Sequence, residues 1–205
     1  MKELAKDDIE RIFAEMDSVF DQKGISQKFL VIGGAIVIQF GMPDRSTGDI
    51  DFYGNKEELK DDLKDVAAKV GIPFDPDDYQ FPDEPYIQWV NTEFVHMPKT
   101  NEWMGDLEEA WVGRALTILR PPVGVILGSK LAAGREKDIG DVKFLSDIDK
   151  NWKLSLEKYL PFFSEEDQKE IKDNLIYIEL YMASRDEENN RSIVNPKIPN
   201  HKVKK

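Results

Sequence analysis

Residues 29–52 read FLVIGGAIVIQFGMPDRSTGDIDF, and the fold turns on this stretch. Phe29 to Ile32 is a short apolar run of the kind that forms a buried strand. Gly33 and Gly34 break it, and Ala35 to Phe40 continues as a short apolar helix. Gly41, Met42 and Pro43 end that helix, because proline has no place inside one. Asp49, Ile50, Asp51 and Phe52 follow as a second strand. Side chains two apart on a strand share a face. Asp49 and Asp51 therefore project together, while Ile50 and Phe52 point the other way into the core.

Two carboxylates about 7 Å apart on one strand face repel each other unless a cation lies between them. The pattern suits a divalent metal, Mg²⁺ in particular (Mn²⁺ is the alternative), which takes oxygen ligands and leaves positions for phosphate and water. Gly33 and Gly34 sit where strand becomes helix. Glycines there let a phosphate approach the backbone, and the first free N–H groups of a helix favour an anion. The implied chemistry is a metal–nucleotide phosphate site.

Gly33 and Gly34, followed by Arg45, Thr47, Asp49 and Asp51, resemble the nucleotidyltransferase fold of the DNA polymerase beta superfamily. The likeness is to its small prokaryotic branch of abortive-infection toxins and minimal nucleotidyltransferases. The shared signature is a Gly-Ser or Gly-Gly pair, roughly ten to fifteen residues, and Asp-x-Asp. A second match lies downstream. Lys130, Leu131, Ala133, Arg135, Lys137, Asp138 and Asp141 resemble the segment Lys-Leu-x-Ala … Arg-x-Lys-Asp-x-x-Asp that follows the catalytic sheet in that branch. The resemblance covers about Phe29 to Leu145. It implies an α+β fold, a small mixed sheet flanked by helices, here with a helical C-terminal extension. It further implies Asp49 and Asp51 as metal-binding and catalytic residues. Gly33, Gly34, Arg45, Thr47, Lys130, Arg135 and Lys137 would contact the nucleotide.

The bulk numbers agree with a soluble globular protein: 205 residues, 40% hydrophobic and 33% charged. That length holds one sizeable core and a small helical appendage. We expect a nucleotidyltransferase-like domain over residues 1–150, a helical extension over 151–186 and a flexible tail over 187–205. No apolar run is long enough to span a membrane. Met1 to Asp8 lacks the apolar core of a signal peptide. There is no cysteine, hence no disulfide or thiolate metal site, which fits the cytoplasm. A formal charge of −12 argues against broad nucleic-acid binding, which needs a basic surface.

The remaining chain supplies the scaffold. Leu4, Ile9, Ile12, Phe13, Met16, Val19 and Phe20 predict an amphipathic helix over residues 3–22. Asn55, with Glu58 three residues on, predicts a capped helix striped by Leu59, Leu63, Val66 and Val70 and closed by Gly71. Residues 72–85 read as a proline- and acid-rich loop, whose acids lack the spacing of a calcium loop. Tyr86 to Val90 reads as a strand. The superfamily's third metal carboxylate comes from a strand at about this point, where this chain has Gln88. Glu93 and Asp106 are nearby acids, and His96 reads as structural. A short helix is expected over 105–112, a strand over Arg114 to Leu119, and a helix from Val125 onward. Lys130, Arg135 and Lys137 form a cationic cluster that either contacts phosphates or pairs internally, Lys137 with Asp141 and Arg135 with Asp138. Asp138 and Asp141 are taken to orient these cations. Ser164, with Asp167 three residues later, predicts the N-cap of a helix running to about Ser184.

Two functions follow. One is a metal-dependent enzyme that moves a nucleoside monophosphate from a nucleoside triphosphate to a hydroxyl of a protein, an RNA such as a tRNA end, or a small molecule. The branch resemblance brings with it a toxin–antitoxin role and an antitoxin-like partner. The other is a catalytically decayed relative acting as a nucleotide-binding or regulatory protein. A carboxylate within reach of Asp49 and Asp51 favours the enzyme; an amide in that place favours the binder.

Overall fold

The computed structural model describes residues 3–54, 56–74, 84–90 and 92–194, with side chains to 184. The N-terminal stripe forms α1 (Lys6–Lys23), and all six of its large apolar residues from Ile9 to Phe20 are buried. The organising stretch folds as β1 (Gln27–Ile32), α2 (Gly33–Gln39) and β2 (Asp49–Tyr53). A 3-10 turn, Glu57–Leu59, leads into α3 (Lys60–Val70), which Gly71 ends in the left-handed conformation. Asn55 lies outside the described residues, as do 75–83 of the loop expected over 72–85.

The strand expected at Tyr86 to Val90 is β3 (Tyr86–Val90). The helix expected over 105–112 is not formed. That stretch is a 3-10 turn, Glu102–Asp106, followed by β4 (Glu108–Val112). The reason is non-local: β4 pairs antiparallel with β5 (Leu116–Arg120), and Trp111 reaches the ring of Phe13 on α1. Asp17 of α1 holds the hairpin turn by accepting the backbone N–H groups of Arg114, Ala115 and Leu116. Burial alone would raise the Asp17 carboxyl, yet these three donors hold it below its ordinary range.

The sheet has five strands in the order β3-β2-β1-β5-β4. β1 runs antiparallel to β2 and parallel to β5, and β2 runs parallel to β3, so the sheet is mixed and the architecture is α+β. Phe29 and Phe52 meet on one face, with Trp89 stacked on Phe29. Apolar residues from α1, α3 and the segment after Pro122 join them in one core, as the periodicity predicts.

The apolar segment after Pro122 is two helices rather than one: α4 (Val123–Ala133) and α5 (Glu136–Ile148). Gly134, at φ 62°, turns the chain between them. α6 (Trp152–Tyr159) and α7 (Glu165–Val194) complete the chain. Ser164 caps α7 as expected, its hydroxyl accepting the Asp167 N–H and donating to the Asp167 carboxylate. α7 continues ten residues past the expected end at Ser184. The residues of the expected tail from 195 onward lie outside the described residues.

α4 and α6 cross at backbone contact. A Cβ on Gly124 would strike the Ser155 carbonyl and the Tyr159 ring. Gly124→Ala is therefore expected to destabilise the fold by about 1–3 kcal/mol, because overpacking against a backbone finds no rotamer that relieves it. Urea unfolding checks this; an unchanged midpoint would show that the two helices separate at little cost.

Candidate functional site

Asp49 and Asp51 project from one face of β2 and are half-buried, while Ile50 and Phe52 between and beyond them are fully buried. This is the alternation that the sequence predicts. β2 is placed by its neighbours: Ile32 of β1 and Gln88 of β3 both lie in register with Asp51. Each carboxylate has one oxygen held by a neutral donor. The Thr47 hydroxyl donates to Asp49 Oδ1 at 2.8 Å, and Gln88 Nε2 donates to Asp51 Oδ1 at 2.7 Å.

The glycine pair sits against this machinery. Gly33 has φ 74°, and a Cβ there would lie 2.6 Å from Asp51 Oδ2. A Cβ on Gly34 would lie 2.7 Å from Thr47 Oγ1. Both glycines thus let the β1–α2 turn close on the carboxylates, and Gly33 also supplies a positive φ that side chains resist. The sequence reading has them approached by phosphate. In the fold they are first approached by Asp51 and Thr47.

The electrostatics leave Asp51 under-compensated. Burial, then the charge of Asp49, pushes its carboxyl up to about 6, against the opposing effects of Gln88, Lys130 and Lys137. A partly desolvated carboxylate beside another is a place where positive charge is favoured. The donor set is all oxygen, which fits Mg²⁺ or Mn²⁺ and gives no preference to a soft metal. Among the described residues no group of three or more His, Cys, Asp or Glu could cage a metal. A cation at Asp49 and Asp51 would therefore draw its other ligands from water and phosphate oxygens.

The cations near the aspartates split into two kinds. Lys130 on α4 is buried and lies 2.9 Å from both Asp138 Oδ1 and Asp141 Oδ2 of α5. Arg45 donates to Asp141 through Nε and Nη2, at 2.8 and 3.2 Å. These two cations tie α4, α5 and the approach to β2 into one network, with the acids orienting the bases as expected. Arg135 also pairs with Asp138, at 2.5 Å, but its side chain remains 62% exposed. Burial would raise Asp138, yet Arg135 and Lys130 hold it below its ordinary range. Lys137 is exposed. The charges of Lys130 and Lys137 act on Asp51, and that of Asp49 acts on Arg135, so the cluster faces the aspartates. The fold thus brings all nine predicted residues into one region, with Arg45 and Lys130 already ion-paired and Arg135 and Lys137 open to solvent.

Gln88, opposite Asp51 on β3, is the side chain that reaches it. Glu93 is exposed, and Asp106 is engaged by Lys158 Nζ and the Tyr159 hydroxyl, each at 2.8 Å. His96 Nδ1 lies 2.6 Å from Asp167 and braces the start of α7, the structural role expected of it. What sequence reasoning missed is the donor role of Thr47 and Gln88 toward the aspartates. A hydroxyl two residues before Asp49 was a visible signal; the pairing of β3 with β2 was not.

A family described as "Nucleotidyltransferase of unknown function (DUF6036)" matches residues 7–188, most of the chain. The chain belongs to this family. No curated protein and no solved structure matched the chain. As a nucleotidyltransferase-family domain it runs from α1 into α7, so the match takes in the helices after residue 150 as well as the sheet. Among the described residues of this nucleotidyltransferase-family protein, no helix is long and apolar enough to cross a membrane.

Proposed function

We propose that the protein binds a nucleoside triphosphate as its Mg²⁺ or Mn²⁺ complex and transfers the nucleoside monophosphate to a hydroxyl acceptor. The supporting observation is the pair Asp49 and Asp51 on one face of β2, with the Asp51 carboxyl raised to about 6 by burial and by Asp49. Asp49 and Asp51 would hold the divalent cation, which when bound neutralises phosphate charge and stabilises the oxygens that attack and leave. Lys137, which is exposed, and Arg135, which pairs with Asp138 through Nε and Nη2 yet stays 62% exposed, would take triphosphate oxygens. Lys130 and Arg45 would act at one remove, fixing α4 and α5 against β2. In the reaction the acceptor hydroxyl oxygen bonds to the α-phosphorus and loses its proton to water, the bond from that phosphorus to the bridging oxygen breaks, and pyrophosphate leaves. The acceptor is a protein side chain, an RNA end or a small molecule. A toxin–antitoxin setting with an antitoxin-like partner rests on the branch resemblance, and a cytoplasmic location on the absence of cysteine.

One observation favours the second reading, a nucleotide binder that has lost transfer. Gln88 occupies the place opposite Asp51 where the superfamily carries an acid, and an amide cannot take a proton at neutral pH. Calorimetry with Mg²⁺ and nucleotide tests what the readings share: Asp49→Asn with Asp51→Asn is expected to abolish metal-dependent nucleotide binding while the fold persists. Equal affinity in parent and double variant would end both readings. Incubation with labelled nucleotides, Mg²⁺ or Mn²⁺ and cell extract separates them. Label on protein or RNA supports the enzyme. Binding without transfer, with transfer raised in Gln88→Glu, supports the decayed binder.

A further inference from the structure

We infer that Thr47 and Gln88 are positioning residues that leave Asp49 and Asp51 one free oxygen each, and so fit the site to a small octahedral cation and against calcium. This rests on the reading of the aspartate pair as a cation site.

The geometry is symmetric in function though not in sequence. Thr47 precedes β2 and reaches forward two residues to Asp49 Oδ1; Gln88 reaches across from β3 to Asp51 Oδ1. Among the described residues no donor reaches Oδ2 of either aspartate. Asp51 Oδ2 instead lies against the bare Cα of Gly33, where a Cβ would come within 2.6 Å of it. Each carboxylate therefore presents one oxygen bound to a neutral N–H or O–H and one oxygen free.

Both donors are held firmly. Thr47 is 5% exposed, and its backbone pairs with Leu4 in both directions, at 2.7 and 3.0 Å. Its hydroxyl packs on Gly34, which has no Cβ to displace it. Gln88 is fixed by the β2–β3 register, which runs unbroken from Asp49–Tyr86 to Tyr53–Val90. A glutamate at position 88 would set a second carboxylate beside Asp51 Oδ1. The amide does the opposite: it donates to that oxygen, taking one of its lone-pair sites and adding no charge.

The consequence follows from coordination chemistry. Ca²⁺ gathers six to eight oxygens at about 2.3–2.6 Å and commonly takes both oxygens of a carboxylate, whereas Mg²⁺ requires octahedral geometry at about 2.0–2.1 Å with single oxygens and retained waters. A carboxylate oxygen that already accepts a hydrogen bond is the weaker metal ligand of the two, so each aspartate is biased toward single-oxygen coordination, which serves the second pattern better than the first. Mn²⁺ accepts the same octahedral oxygen set.

The test uses the full chain with cations alone, so that neither nucleotide nor transfer enters the readout. Mn²⁺ and Ca²⁺ are titrated calorimetrically into the parent, Gln88→Leu, Gln88→Met, Thr47→Val and Thr47→Ser. Thr47→Val keeps the shape and removes the hydroxyl; Thr47→Ser keeps the hydroxyl. We expect the parent to prefer Mn²⁺. In the Gln88 variants and Thr47→Val, Mn²⁺ affinity should fall by about tenfold, the usual effect of removing a group that orients a metal ligand. Ca²⁺ affinity should hold or rise, and Thr47→Ser should behave as the parent. An unchanged Mn²⁺/Ca²⁺ ratio in variants that still bind both cations overturns this inference and leaves the aspartate site standing. Absence of any Mn²⁺ binding by the parent overturns the inference together with the reading beneath it.

Discussion

Lys130→Met is expected to cost about 3–5 kcal/mol of stability, because it removes the cation from a buried ion cluster and leaves its acids uncompensated. Lys130 is 5% exposed, and Asp138 and Asp141, both within 2.9 Å of its ammonium, are fully buried. Methionine keeps the stem and its packing, so the loss reports charge rather than a cavity. Asp141 would retain Arg45, but among the described residues Asp138 would keep only Arg135, whose side chain is largely in solvent. The same change loosens α4 against α5, and with them the face set opposite Asp49 and Asp51. Urea unfolding at neutral pH measures the effect; a midpoint equal to the parent's would show that the cluster contributes nothing beyond what Arg45 and Arg135 supply.

The second large effect has the opposite sign. Asp51→Asn is expected to stabilise the metal-free protein at neutral pH. The Asp51 carboxyl is raised to about 6 from an ordinary 3.8, by burial first and by Asp49 second. A raised carboxyl means that the fold binds its proton more tightly than the unfolded chain does. The stability this confers is fully present below about 3.8 and is lost as pH rises through about 6. Above that the ionised folded form carries a constant penalty of about 3 kcal/mol. The amide avoids it and can still accept from Gln88 through its carbonyl oxygen. At roughly 2–4 °C per kcal/mol for a chain of this size, the variant should melt roughly 6–12 °C above the parent at pH 7.5. The difference should vanish near pH 4, and millimolar Mn²⁺ should raise the parent's melting temperature and not the variant's. Equal melting of parent and variant across this pH range would mean that Asp51 is not electrostatically strained.

The line between what was readable and what was not follows sequence distance. β1, the glycine break, α2 and β2 lie within one stretch, and their periods and punctuation suffice to place them. The cap at Ser164 was readable for the same reason, since its partner Asp167 is three residues away. β4 was not: Glu108 to Val112 carries no strand signal of its own strength, and it becomes a strand by pairing with β5 and by packing Trp111 on Phe13, nearly a hundred residues earlier. The helix expected from Val125 onward ends at Ala133, where left-handed Gly134 turns the chain into α5.

The sequence by itself determined the local chemistry of the site: two carboxylates on one strand face, a glycine turn before them, and a basic segment with acids at helical spacing. The α+β class came with the family resemblance that these motifs carry, and the mixed sheet bears it out. Only the tertiary structure decided which donor meets which acceptor between elements. Arg45 and Asp141 are 96 residues apart and Gln88 and Asp51 are 37 apart, and each pair is made by register or helix packing rather than by spacing. The physical reason is that periodicity fixes which way a side chain points along its own element, while the partner it finds depends on which element is laid beside it. That is why the aspartates were legible from the sequence, and why the amide that holds one of them was recognised as such only once β3 was seen beside β2.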